Sequence, residues 1–252
     1  METLNDLLEI NNLKIYQNDD WFKFSLESVL LPNFVTINLR CKKILDLCTG
    51  NAPIPLILST KTKAEIVGIE IQKDIYELAK KSVIVNNLEN RITLINDNLN
   101  NLKKYYNGDD FDVITANPPY FPNILLSKKN KDNHKTIARH EIKTDLDEIV
   151  KISAFLLKNG GHLAMVHQTK RFFDVVNILN KYNLTVSKVQ FIYPKIDRES
   201  NLFMIEAVKN GKCGVRFLNP MYVHNNDGTY RDEILKMFKN EKEGILWKWL
   251  LV

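Results

Sequence analysis

Short apolar runs at 43–48, 65–70, 91–96 and 111–116 constrain this chain more than any other feature, because helical patterning fills 53–58 and 72–87 between them. Strands that alternate with helices bury both faces of a parallel sheet, so the pattern predicts an α/β, doubly wound fold. Further on, 144–157 reads as a helix closed by Asn159-Gly160-Gly161, followed by a strand at 162–167 and a helix at 170–182. Apolar runs at 184–193 and 202–209 read as a closing pair of strands.

At 252 residues the chain has room for one large α/β domain, and a single domain over 1–252 is expected. Residues 1–40 form an N-terminal extension to it and 210–252 a C-terminal one. The charged stretch 122–143, which carries Lys128, Lys129, Lys131, Lys135, Arg139 and Lys143, is expected to be a mobile loop at the carboxyl edge of the sheet. The net charge of +5 permits a polyanionic partner without demanding one. Cys41, Cys48 and Cys213 are an odd number with no C-x-x-C pair, and the five histidines lack ligand spacing, so neither a disulfide framework nor a metal site is indicated. With no apolar run of membrane-spanning length and no leader-like start, a cytoplasmic protein is expected.

In a sheet of this kind ligands bind beyond the carboxyl ends of the strands. Asp46 lies near the end of the first run, Gly50 falls in the turn after it, Glu70 ends the second run and Asp97 follows the third. An acidic residue about twenty positions after the first strand can grip ribose hydroxyls, and Asp97 with the amide of Asn98 can read an adenine edge. Each carboxylate alone would be read as a solvated strand end or a helix cap; three at successive strand ends point to a nucleotide site. The glycine signal is weak, since Cys48 and Ala52 occupy two positions of a full glycine-rich turn. A dinucleotide needs those glycines to seat its pyrophosphate. S-adenosylmethionine carries no phosphate and needs fewer.

Asn117-Pro118-Pro119-Tyr120 follows the fourth run directly. Consecutive prolines stiffen the backbone, so the Asn117 amide oxygen, the Pro118 carbonyl and the Tyr120 ring are presented as one cluster. Pro-Pro alone would be read as a turn at a sheet edge. At the end of a strand facing a nucleotide site, the cluster suits a planar NH2 group held by two acceptors and stacked on an aromatic face.

The order Asp46-Leu47-Cys48-Thr49-Gly50, Glu70, Asp97, Asn117-Pro118-Pro119-Tyr120 resembles the class I S-adenosylmethionine-dependent amino-methyltransferases. More narrowly, Gln17 with 22–31, Ala138-Arg139-His140-Glu141, Tyr193-Pro194-Lys195 and Asp227-Gly228-Thr229-Tyr230 resemble the bacterial valine-tRNA adenine-37 N6-methyltransferases, over nearly the whole chain up to about residue 240. Departures are Cys48 and Ala52 in place of glycine, and an apolar tail, 245–252. The resemblance implies a seven-stranded, mostly parallel Rossmann-like methyltransferase sheet with helices on both faces. It also implies S-adenosylmethionine held by Lys23, Ser25, Asp46, Cys48, Gly50, Glu70, Ile71, Asp97, Asn98 and Asn117. Lys23 and Ser25 would approach the methionine carboxylate, although Ser25 reads equally well as a helix N-cap. The catalytic cluster would be Asn117, Pro118, Pro119 and Tyr120.

The implied partner is the anticodon loop of valine tRNA, bound by a monomer or weak dimer. A base there is splayed out at less unstacking cost than one inside a duplex. Phe22 or Phe121 would close the face of the base opposite Tyr120; Lys128, Lys129, Arg139 and His140 are candidate RNA contacts, which makes tRNA affinity salt-sensitive. The Asn-Pro-Pro-Tyr chemistry also fits glutamine N5-methyltransferases and guanine-N2 ribosomal RNA enzymes. The former usually carry a separate N-terminal helical domain that the residues before Asp46 cannot hold, and the latter often a duplicated domain. A non-catalytic RNA-binding relative is the remaining alternative.

Overall fold

The computed structural model of the protein describes residues 1–18, 20, 24–119 and 146–239. In chain order these form β1 (Glu2–Asp6), β2 (Lys14–Asn18), α1 (Glu27–Phe34), β3 (Lys43–Leu47), α2 (Pro53–Lys61), β4 (Glu65–Glu70), α3 (Lys73–Val85), β5 (Ile92–Asn96) and β6 (Phe111–Ala116). Then come α4 (Leu146–Leu156), β7 (Leu157–Gln168), α5 (Phe172–Lys181), β8 (Leu184–Tyr193), β9 (Leu202–Lys209), β10 (Arg216–Phe217), β11 (Met221–Tyr222) and α6 (Asp232–Lys239).

Seven of these strands make the body of the main sheet in the order β8-β9-β7-β6-β3-β4-β5, and the two-residue β10 and β11 both pair with β8. β3, β4, β5, β6 and β7 run parallel, and β9 is antiparallel to both β7 and β8. This is the Rossmann-like methyltransferase sheet expected from the alternating runs. Successive strand residues feed opposite cores: Ile44, Ile66 and Val113 pack with α1, α2 and the N-terminal hairpin, while Leu45, Val67 and Ile114 pack with α4 and α5. Burial on both faces is why these strands read as continuous apolar runs rather than alternating ones.

Two parts differ from the expectation. Asn159-Gly160-Gly161 does not close a helix: α4 ends at Leu156 and β7 begins at Leu157, with a pairing shift between Phe111 and Val113. Gly160 has φ +77, and a Cβ on Gly161 would lie 2.9 Å from the Lys158 carbonyl oxygen and 3.1 Å from that of Asp112, so the glycines serve a tight irregular stretch at the start of the strand. Nor is Ser25 an N-cap; Leu26 holds that position without a side-chain bond.

The described residues among 1–40 are integrated into the fold. The antiparallel β1–β2 hairpin leans on α3, where Ser82 Oγ accepts from the Tyr16 N–H at 2.9 Å and Asn86 Nδ2 donates to the Lys14 carbonyl at 2.7 Å. α1 is buried against the sheet, and a polar cluster clamps its end. Glu206, 2% exposed, accepts from the Thr36 N–H at 2.6 Å and the Thr36 hydroxyl at 2.8 Å. Lys188 Nζ donates to the Phe34 carbonyl at 2.6 Å and lies 3.2 Å from Glu206 Oε2. A lysine at the last carbonyls of a helix also complements its dipole.

Candidate active site

β3, β4 and β6 bring one row of residues into register: Asp46 pairs with Gly68 on one side and Thr115 on the other. Asp46 shares the sheet face of Ile44 and Val113 and is fully buried. Its Oδ1 accepts from the Thr115 hydroxyl and its Oδ2 from the Thr49 hydroxyl, both at 2.6 Å. Thr49 reaches down because Gly68 has no side chain; a Cβ there would lie 2.9 Å from Thr49 Oγ1. Burial pushes the Asp46 carboxyl up to about 7, although the two hydroxyls pull the other way. Asp46 thus supports the turn from beneath; it presents no surface to a ligand, which corrects the expectation of direct contact.

Cys48, Gly50 and Ala52 all take left-handed backbone, at φ 58, 58 and 70. The alternation folds the chain back within five residues and delivers it to α2, where Pro53 needs no amide partner at the first helical position. Asn51 ties the turn to the hairpin by donating to the Tyr16 carbonyl at 2.8 Å. Burial, followed by the nearby Glu70 and Asp46, pushes the Cys48 thiol well above its usual range, so it is a neutral packing group.

At the carboxyl end of β4, Glu70 Oε2 accepts from the Gly50 N–H at 3.0 Å and Oε1 from the Gln72 N–H at 2.9 Å. Burial raises its pKa against those bonds. Ile71, next along, is 42% exposed, an apolar face beside a carboxylate. After β5, Asp97 accepts from Asn101 Nδ2 at 2.7 Å and from the Tyr105 hydroxyl at 2.9 Å, bonds that hold its pKa down. Asn98 caps the following 3-10 helix, Leu99–Lys104, by accepting from the Asn100 N–H at 2.9 Å. Both side chains brace this corner.

Leu47 pairs with Ala116, so Asn117 follows β6 beside the Cys48–Ala52 turn. Asn117 is half-buried, Pro118 buried and Pro119 exposed. Asn117 Nδ2 points to Ser28 Oγ on α1 at 3.5 Å. The structure therefore gathers Asn117, the turn, Glu70 and Ile71 at one edge of the sheet. Phe22, Lys23, Tyr120, Phe121, Lys128, Lys129, Arg139, His140 and the whole of 122–143 lie outside the described residues. Thr49, Thr115, Gly68, Asn51 and Ser28 were given no part in the site from the sequence. Thr49 and Asn51 could have been flagged as polar residues inside a turn too tight to solvate them; the others become visible only through strand register and the docking of α1.

The carboxyl edge fits an adenosyl cofactor. Open space surrounds the position a Cβ would take on Gly50, and the Glu70 carboxylate and exposed Ile71 stand at the adjacent strand end. Fold and turn together define a Rossmann-like methyltransferase. The chain belongs to the family described as methyltransferase domain, whose profile matches residues 40–242.

Among curated relatives, a tRNA1(Val) (adenine(37)-N6)-methyltransferase of Parabacteroides distasonis is 26% identical over 80% of this chain and 83% of its own length. One of the same name from Bacteroides thetaiotaomicron is 26% identical over 92% and 89%. Among solved structures, a predicted O-methyltransferase from Agrobacterium tumefaciens superposes with a TM-score of 0.67 at 15% identity, covering 84% of this chain and 95% of that one. TYW2 of P. horikoshii, solved in complex with MeSAdo, superposes at 0.58 with 13% identity, covering 83% and 72%.

Proposed function

We propose that this protein transfers a methyl group from S-adenosylmethionine to N6 of adenine 37 in the anticodon loop of valine tRNA. The structural observation that carries this reading is the register of β6 on β3, which sets Asn117 beside the turn and Glu70. The relatives named above support the acceptor; neither a glutamine nor a guanine acceptor is favoured by them.

When bound, the cofactor supplies an electrophilic methyl group on a sulfonium. The chain's own part is placement. Glu70 would hold the ribose hydroxyls, Ile71 would cover a face of the adenine ring, and the turn around Gly50 would admit the rest. The N6 lone pair of adenine is delocalised into the ring, so the amine is a weak nucleophile. Asn117 Oδ1 and the Pro118 carbonyl would accept its two N–H groups and turn it out of conjugation, a contribution of orientation rather than of acid or base. No charged group is needed to deprotonate the amine in advance, in keeping with a neutral amide at this position.

Asn117→Ala tests the assignment. Turnover should fall by at least about a hundredfold while cofactor affinity, measured by calorimetry, stays within about threefold. Equal losses in both would contradict the role given to Asn117. A tRNA transcript with guanine in place of adenine 37 should accept no methyl group.

A further inference from the structure

We propose that the turn after β7 and the start of α5 form a docking surface for the single-stranded RNA flanking the target base, with Phe173 as its stacking platform. The proposal rests on the tRNA reading above and names the surface that reading lacks.

β7 pairs with β6, Met165 opposite Ala116 at one strand spacing, about 4.8 Å, and then runs three residues further to Gln168, so its carboxyl end rises beside the strand that leads into Asn117. It lies on the side away from β4, whose end is given to the cofactor. RNA leaving a base held at Asn117 can therefore cross this side of the edge.

The surface there is aromatic and braced. Phe172 turns inward and packs on Phe203 and Phe191, at ring-centre separations of 5.0 and 5.4 Å. Phe173 turns outward, 76% exposed, with its ring 5.5 Å from Phe172 and nearly perpendicular to it. The outer ring is thus buttressed by a half-buried one that packs on the core. The turn beneath is tied down: the Thr169 N–H donates to the Asn201 carbonyl at 3.0 Å, and the Thr169 and Ser200 hydroxyls share a bond of 2.9 Å. A platform fixed beforehand loses little entropy when a base stacks on it.

Lys170 is exposed beside Phe173, and Arg171 is steadied by Asp174. The loop bonded to this turn adds Lys195 and Arg198, while Asp174, Asp197 and Glu199 oppose them and leave a slight positive excess. The cations are felt inside the fold: His167 is held down to about 4, by burial first and then by Arg171 and Lys170. One exposed ring between cations suits a nucleobase and its phosphate better than a lipid surface, which needs a broader apolar face.

The test uses the full chain and a labelled valine-tRNA anticodon stem-loop, with binding followed by anisotropy. Phe173→Ala should weaken binding about tenfold. Phe173→Trp should retain it, and Phe173→Leu should fail like alanine. Lys170→Gln and Arg171→Gln should each flatten the dependence of log Kd on log salt by about 0.7. Cofactor affinity should stay unchanged in every variant. If Phe173→Ala binds within twofold of the parent, or Phe173→Leu binds as the parent does, the proposal is wrong. A parent protein that fails to bind the RNA would instead overturn the functional reading beneath it.

Discussion

Gly50 and Asp46 meet the same turn from opposite sides. With φ 58 and open space around a Cβ, Gly50→Ala should cost only about 1 kcal/mol of stability, the penalty of left-handed backbone. Its methyl group would occupy the space assigned to the cofactor, so calorimetry should find affinity reduced by far more than that. Comparable losses of stability and affinity would place the ligand elsewhere. Asp46 makes a pH prediction. Its folded pKa of about 7 lies above the ordinary 3.8, so its stabilising share is complete below about pH 3.8 and is lost as pH rises through about 7. The melting temperature of Asp46→Asn, compared with the parent, should therefore improve from pH 5 to about pH 7 and level off above it; a constant difference would mean that Asp46 is ionised throughout. Part of the proposed site was legible residue by residue: Asn117, Gly50, Glu70 and Ile71, taken from the sequence as site residues, meet at one edge of the sheet. The support roles of Asp46, Asp97 and Asn98 were not, because a strand-end carboxylate looks the same in sequence whether its oxygens face a ligand or neighbouring hydroxyls.

Among the elements, the strands were the most legible. β4, β6, β8 and β9 occupy the expected residues, since burial on both faces writes a continuous apolar run. The start of β7 was misread because Gly-Gly signals a helix end as readily as an irregular strand. The N-terminal hairpin and α1 lacked a clear signature: β1 carries the exposed pattern of an edge, and α1 holds an internal proline. What secures α1 is tertiary. Burial pushes the Glu206 carboxyl up, but His162, Lys188 and the Thr36 N–H outweigh it and hold the pKa down to about 2. Its stabilising share is complete above the ordinary 4.5 and is lost as pH falls through about 2. Glu206→Ala leaves Lys188 buried without its carboxylate and should cost about 3–5 kcal/mol in urea unfolding. A loss below about 1 kcal/mol would show that the clamp carries little of the anchorage. Because Ser28 on the same helix meets Asn117, the weakened variant should also lose turnover before it loses cofactor affinity.

At the scale of the whole molecule, the two proposed tasks fall on different parts of the sheet's carboxyl edge. The β3–β4 half carries the turn, Glu70 and Ile71; the β7 side carries Phe173 and its flanking cations; and Asn117 stands at the end of β6 between them. No helix among the described residues is long and apolar enough to cross a membrane, and no group of three or more His, Cys, Asp or Glu side chains among them could hold a metal ion. We propose that this arrangement delivers a methyl group to the exocyclic amine of one adenine. The most direct measurement incubates the protein with isotopically labelled S-adenosylmethionine and total tRNA, then maps the labelled nucleoside by mass spectrometry. The expected product is N6-methyladenosine at position 37 of valine tRNA. Label in N2-methylguanosine, or in protein alone, would contradict it.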